Sequence, residues 1–110
     1  MNIDPYRFEV IEVREPTRVR VRLRGELDLA TAGAVADRLH QLRDGADTVV
    51  LDLEELSFMD AAGLRVVLAA AEDSRRDGWA FTVTRGSAPV QRLFELLDVS
   101  QYVTFEDGTS

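Results

Sequence analysis

The sequence predicts a single α/β domain built on a mixed, mostly parallel β-sheet, in the order ββαβαβαβ, with its helices packed on one face. Three observations carry this. Apolar and polar residues alternate in several short runs, the period of a strand with one buried face. Segments with helical spacing separate the later runs, and a strand–helix–strand unit brings the chain back parallel to itself. The alternation also argues against helices on both faces, because a doubly wound sheet reads as continuous apolar runs.

The first strand is "FEVIEVRE" (Phe8 to Glu15), turning at Pro16-Thr17 into the second, "RVRVRLRGEL". In the second, Val19, Val21 and Leu23 alternate with Arg18, Arg20, Arg22 and Arg24. A helix over Thr31 to Arg43 places Val35, Leu39 and Leu42 on one face. The third strand, "TVVLDLEEL", alternates Val49, Leu51 and Leu53 with Val50, Asp52 and Glu54. A second helix, Asp60 to Asp77, gathers Leu64, Val67, Leu68 and Ala71, and Gly78 stops it. "AFTVT" follows as the fourth strand. A helix over Ala88 to Leu97 then presents Val90, Leu93, Phe94 and Leu97, and "YVTFE" closes the sheet through Val103 and Phe105. On the helix-free face Arg20, Arg22 and Arg24 are expected beside Asp52 and Glu54. That stripe reads as a solvated, ion-paired face rather than a phosphate-binding groove, each exposed pair contributing about 0–1 kcal/mol.

Composition narrows the functional classes. The 110 residues suffice for one domain, 1–110, with its core over roughly 8–106. A content of 45% hydrophobic and 30% charged residues is that of a globular chain. There is no cysteine, which removes disulfides, thiolate metal sites and thiol nucleophiles. The formal net charge of −7 makes nucleic acid and anionic membrane surfaces poor partners. All 13 basic residues are arginine, so lysine Schiff bases and a P-loop lysine are excluded. Met1 to Tyr6 is polar with no hydrophobic segment after it, and no stretch reaches membrane-spanning length. A cytoplasmic protein without direct membrane insertion is expected.

The stretch "FMDAAGL", Phe58 to Leu64, sits where the third strand gives way to the second helix. Asp60 suits an N-cap, its carboxylate accepting free N–H groups of the first turn. Ala61 and Ala62 leave that turn unobstructed, and Gly63 permits close approach of another surface. One reading is simply a well-capped helix with small residues for packing.

The same region, "VVLDLEELSFMDAAGLRVVLAA", looks like the signature of the STAS domain family of anti-sigma factor antagonists. There an apolar strand leads through Asp-Ser-Ser-Gly or Asp-Ser-Thr-Gly into an apolar helix. "LRGELDLATAGAVADRL" resembles the family's strand ending in a Gly-x-Leu-Asp-like turn. "VTRGSAPVQRLFELLDVSQYVTF" resembles its closing glycine, helix and Phe-containing strand. The resemblance implies a sheet with helices on one side, in agreement with the alternation. It also implies a partner that is both anti-sigma factor and GHKL-type serine kinase, which phosphorylates the serine after the Asp and thereby breaks the complex. Asp60, Gly63 and Leu64 match the motif, but Ala61 stands at the phosphoacceptor position and Ala62 replaces the second hydroxyl. The usual switch therefore lacks its nucleophile, and the phosphosite is empty of any acceptor. Ser57, on the strand side of Asp60, is the nearest hydroxyl.

Turns after successive parallel strands cluster at one sheet edge, where α/β folds usually bind. Partner binding is accordingly expected at Asp28, Asp60, Ala61, Ala62, Gly63, Leu64 and Arg65. Leu64 and the alanines would form the apolar centre, with Asp28 and Arg65 on the rim. No cofactor or metal is expected. Three alternatives stand beside this reading. A non-phosphorylatable scaffold subunit of a stress-signalling assembly or lipid transporter suits the missing hydroxyls equally. A receiver-like domain would use Asp52 as phosphoacceptor, but it needs a lysine and an acidic pair that the chain lacks. An enzyme finds no Gly-x-Ser-x-Gly, P-loop or His cluster. The one histidine, His40, reads as a surface residue, and Asp28 and Asp60 as helix caps rather than an acid–base pair.

Overall fold

The structure is a computed structural model that describes residues 7–45 and 47–107; the polar start expected at Met1 to Tyr6 lies outside the described residues. Strands β1 (Glu9–Glu15) and β2 (Arg18–Leu27) form an antiparallel hairpin, paired from Glu9↔Arg24 to Glu15↔Arg18. β3 (Thr48–Met59) lies parallel to β2, and β4 (Phe81–Val83) parallel to β3, giving a sheet in the order β1-β2-β3-β4. The crossovers are α1 (Ala32–Leu42) and α2 (Ala61–Asp77), and α3 (Ala88–Leu96) follows β4. Gly78, at φ 73°, supplies the left-handed residue that ends α2.

All three helices feed one core. Val19, Val21 and Leu23 of β2 and Val49, Leu51 and Leu53 of β3 join Val35 and Leu39 of α1, Val67 and Ala71 of α2, and Val90 and Phe94 of α3. Every helix thus lies on the same side of the sheet, as the alternation requires. α3 stops one residue earlier than expected, and Leu97 is exposed rather than buried. The fifth strand shrinks to a single parallel bridge, Val83↔Phe105. A short 3₁₀ turn, Val99–Gln101, still holds the N–H groups of Tyr102 and Val103, so only the residues around Phe105 reach β4. Val103 and Phe105 are nevertheless buried, and alternation reports burial whether or not a ladder forms.

The helix-free face departs from expectation in two respects. β3 has twelve residues against ten in β2, and the register shifts between Arg22 and Arg24 and again between Gly25 and Glu26. The first of these shifts places Glu55, not Glu54, opposite Arg24, with Arg24 Nη2 3.1 Å from Glu55 Oε1. The face is also less open than alternation implies. Asp52 is 6% exposed and Val50 1%. Arg20 lies across them, contacting Asp52 at 3.3 Å and the carboxylate of Glu106 from the C-terminal segment. Arginine stems cover apolar surface while their heads stay paired, which a strand pattern does not reveal.

Candidate functional site

Two turns meet at the C-terminal edge of the parallel strands. The carbonyl of Leu27, last residue of β2, accepts the Asp60 N–H at 3.2 Å and brings the turn after β2 beside the start of α2. In the first turn Asp28 Oδ1 accepts from Ala30 N at 3.0 Å and Thr31 N at 3.2 Å. Thr31 Oγ1 in turn accepts from Asp28 N and donates to the Glu26 carbonyl, each at 2.9 Å. Asp28 therefore rigidifies the turn entering α1, while Thr31 occupies the N-cap position.

In the second turn Asp60 caps α2 as expected. Its Oδ1 accepts from Ala62 N at 2.9 Å and Gly63 N at 3.1 Å. Through that oxygen Asp60 shapes the loop and fixes the start of the helix. Ala61 is the first helical residue and is exposed; Ala62 is half-buried. The next two residues turn inward. Leu64 is 7% exposed and belongs to the core, so it is unavailable as the expected apolar centre. Gly63 does permit a close approach, but from within the domain: a Cβ there would stand 2.6 Å from the Leu27 carbonyl oxygen and 2.8 Å from Leu27 Cγ. Arg65, one turn after Ala61, is exposed.

The seven expected residues thus divide. Ala61, Arg65 and part of Asp28 reach the surface, while half-buried Ala62, Gly63, Leu64 and the cap oxygen of Asp60 hold that surface in place. The apolar area comes instead from two side chains that alternation missed: Leu29, 81% exposed just after Asp28, and Phe58, 45% exposed two residues before Asp60. A leucine inside a polar turn was the available signal for the first. For the second it was the three-residue apolar spacing Leu53, Leu56, Met59, which leaves Phe58 outside the buried set. Ser57 donates its hydroxyl to the Gly25 carbonyl at 3.0 Å. His40 is exposed on α1, as expected for a surface histidine. Among the described residues no group of three or more His, Asp or Glu side chains gathers to hold a metal, and no helix is long and apolar enough to cross a membrane.

The arrangement is a braced helix start whose first residue, Ala61, carries neither charge nor hydroxyl, with Asp28, Asp60 and Arg65 as the charged groups around it and Leu29 and Phe58 as exposed apolar side chains on the adjoining turn and strand. Comparison with known proteins identifies the family. The sequence profile described as Mlab, STAS domain matches residues 12–104. The chain is 35% identical over 90 residues to the anti-sigma F factor antagonist of Paenibacillus polymyxa, covering 80% of this chain and 77% of that protein. Over 73 residues it is 32% identical to osmosensory protein A of Mycobacterium tuberculosis, covering 66% of this chain and 46% of that longer relative. The crystal structure of an anti-sigma factor antagonist from Mycobacterium paratuberculosis superposes with a TM-score of 0.78 at 24% identity, covering 94% of this chain and 86% of that one. At that identity the structure speaks for the fold alone, while the profile runs from within β1 to Thr104, one residue short of the final bridge. The chain belongs to the STAS domain family.

Proposed function

We propose that this protein acts as an anti-sigma factor antagonist: it binds an anti-sigma factor of the GHKL-type serine kinase class through the Ala61 edge and so regulates transcription, without accepting phosphate at 61 or 62. One observation carries the reading. The first residue of α2 is an exposed alanine on a turn braced by Asp60 and Leu27, so position 61 stays without the added charge that phosphorylation would bring, as in a binding-competent antagonist. Ala61, Arg65 and Asp28 are the contact residues at this edge, Leu29 and Phe58 add apolar area, and Asp60, Ala62, Gly63 and Leu64 support them. Exposed aromatic and aliphatic side chains with a polar rim are the usual anatomy of such an interface.

The test restores and mimics the missing switch. Ala61→Ser adds one oxygen at an exposed helix start and leaves the fold intact. Incubated with a GHKL-type anti-sigma serine kinase of the same host and ATP, the variant is expected to accept phosphate at residue 61, where the wild type takes none, and to lose kinase affinity once modified. Ala61→Asp is expected to weaken binding in the same direction. A negative charge at this position favours the helix, so weaker binding is not unfolding. If Ala61→Asp and wild type bind the kinase equally, the loop is not the contact. The absence of hydroxyls at both 61 and 62 also suits a scaffold subunit, and a pulldown from the host that recovers assembly or transporter subunits in place of a kinase would favour that second reading.

A further inference from the structure

Helix α2 turns outward Ala61, Arg65, Ala69, Glu72 and Arg76, spaced by three and four residues along one stripe. Beside it runs a groove of about 440 Å³ between α1 and α2, with Ala36 and Leu39 on one wall and Val66, Ala69 and Ala70 on the other. Arg76 is already held by Asp73 and Asp77. Arg65 and Glu72 are not held: both are exposed, and neither makes a hydrogen bond or ion pair with another described residue. Seven residues separate them, so they share a face of the helix but stand about 10 Å apart along its axis, too far to pair with each other.

We propose that this face of α2 binds a second copy of the chain. The two α2 helices cross antiparallel about a two-fold axis near Ala69, so that Arg65 of each copy meets Glu72 of the other. A two-fold interface brings residue i onto j and j onto i, and one complementary pair on a face is therefore satisfied twice. The charge pattern selects both orientation and partner. Parallel helices would set Arg65 against Arg65 and Glu72 against Glu72. A partner of one charge sign would satisfy one of these residues and repel the other. Alanine at the crossing point lets the helix axes approach to about 8 Å, with the groove receiving the facing side chains. Because Ala61 and Arg65 lie on this stripe, self-association covers part of the edge proposed to bind the anti-sigma factor. It would act as a concentration-dependent control in a protein whose loop lacks the hydroxyl switch. That consequence rests on the partner reading; the self-association does not.

Sedimentation velocity over a protein concentration series at about 0.15 M salt, where net repulsion between copies is screened, tests it directly, with no other protein present. Wild type is expected to move from monomer to dimer as concentration rises. Arg65→Glu and Glu72→Arg, each at an exposed position, are each expected to raise the midpoint concentration roughly tenfold or more. The double variant R65E/E72R recreates both pairs in reverse and is expected to return the midpoint to within about threefold of wild type. Circular dichroism confirms that all three are folded. Wild type that stays monomeric into the millimolar range overturns the proposal, as does a double variant no better associated than the singles. None of these outcomes depends on the Ala61 experiments, so either proposal can fail alone.

Discussion

Replacing Gly63 by alanine tests whether the loop is shaped for a partner or for the domain itself. The new methyl would sit 2.6 Å from the Leu27 carbonyl oxygen, 2.8 Å from Leu27 Cγ and 2.9 Å from Met59 Cγ. The two side chains can yield a little. The carbonyl cannot, because Leu27 is paired with Met59 in the sheet and accepts the Asp60 N–H. Reaching even a 3.4 Å contact requires 3.4 − 2.6, or about 0.8 Å, of movement of α2 away from β2. Overpacking of this kind costs about 1–3 kcal/mol, and a backbone obstacle puts it toward the upper end. Alanine's helix preference over glycine offsets about 1 kcal/mol of that. A net loss of about 1–2 kcal/mol is therefore expected, visible in a urea titration as a lower midpoint at unchanged slope. The Tm should fall by about 5–10 °C. Gly33 in α1 is the matched control: a Cβ there meets nothing within 4 Å, so Gly33→Ala should be neutral or stabilising by up to about 1 kcal/mol. A Gly63→Ala protein as stable as wild type would refute the reasoning and return Gly63 to the outer surface.

Arg20→Ala removes the side chain that spans Asp52 and Glu106, leaving Asp52 with Arg22 at 3.5 Å and Glu106 with Arg18 at 3.2 Å. Because Asp52 is buried, the expected loss is about 1–3 kcal/mol by chemical denaturation, above the value of an exposed pair. Leu29→Asp should leave stability within about 0.5 kcal/mol of wild type, since the side chain is 81% exposed, yet weaken anti-sigma factor binding at least about tenfold by calorimetry. Glu12 joins β1 to α1 through Arg38, whose hydrogen bonds hold its carboxyl below the usual range against an opposing effect of burial. A depressed carboxylate stabilises the fold above its unfolded pKa and loses that contribution as pH falls through its folded value. The stability difference between wild type and Glu12→Gln should therefore be full at neutral pH and vanish in acid below the ordinary carboxylate range; a difference independent of pH would show the pair contributes nothing.

The order of the first four strands and the three helices, the single-sided placement of the helices and the Asp60 cap were all legible in the residues, because each follows from a local rule. Side-chain period two or 3.6 assigns an element and its buried face, and a capping carboxylate before small residues marks a helix start. The missing hydroxyl at 61 and 62 is equally a property of the chain. What lay beyond local rules was decided by neighbours. The register shift between Arg22 and Arg24 moved Arg24's partner from Glu54 to Glu55, since register depends on the strand alongside. Arg20 and Glu106, 86 residues apart, closed over Asp52 and Val50 and turned a nominally open face into a partly buried ion-pair layer. The same cause sorted the "DAAGL" residues. Their identities predict a tight, unobstructed turn, but only the carbonyl of Leu27 beneath Gly63 and the core beneath Leu64 determine that these two face inward while Ala61 and Arg65 face out. Periodicity records which way a side chain points relative to its own element; burial depends on what another part of the chain, distant in sequence, places above it.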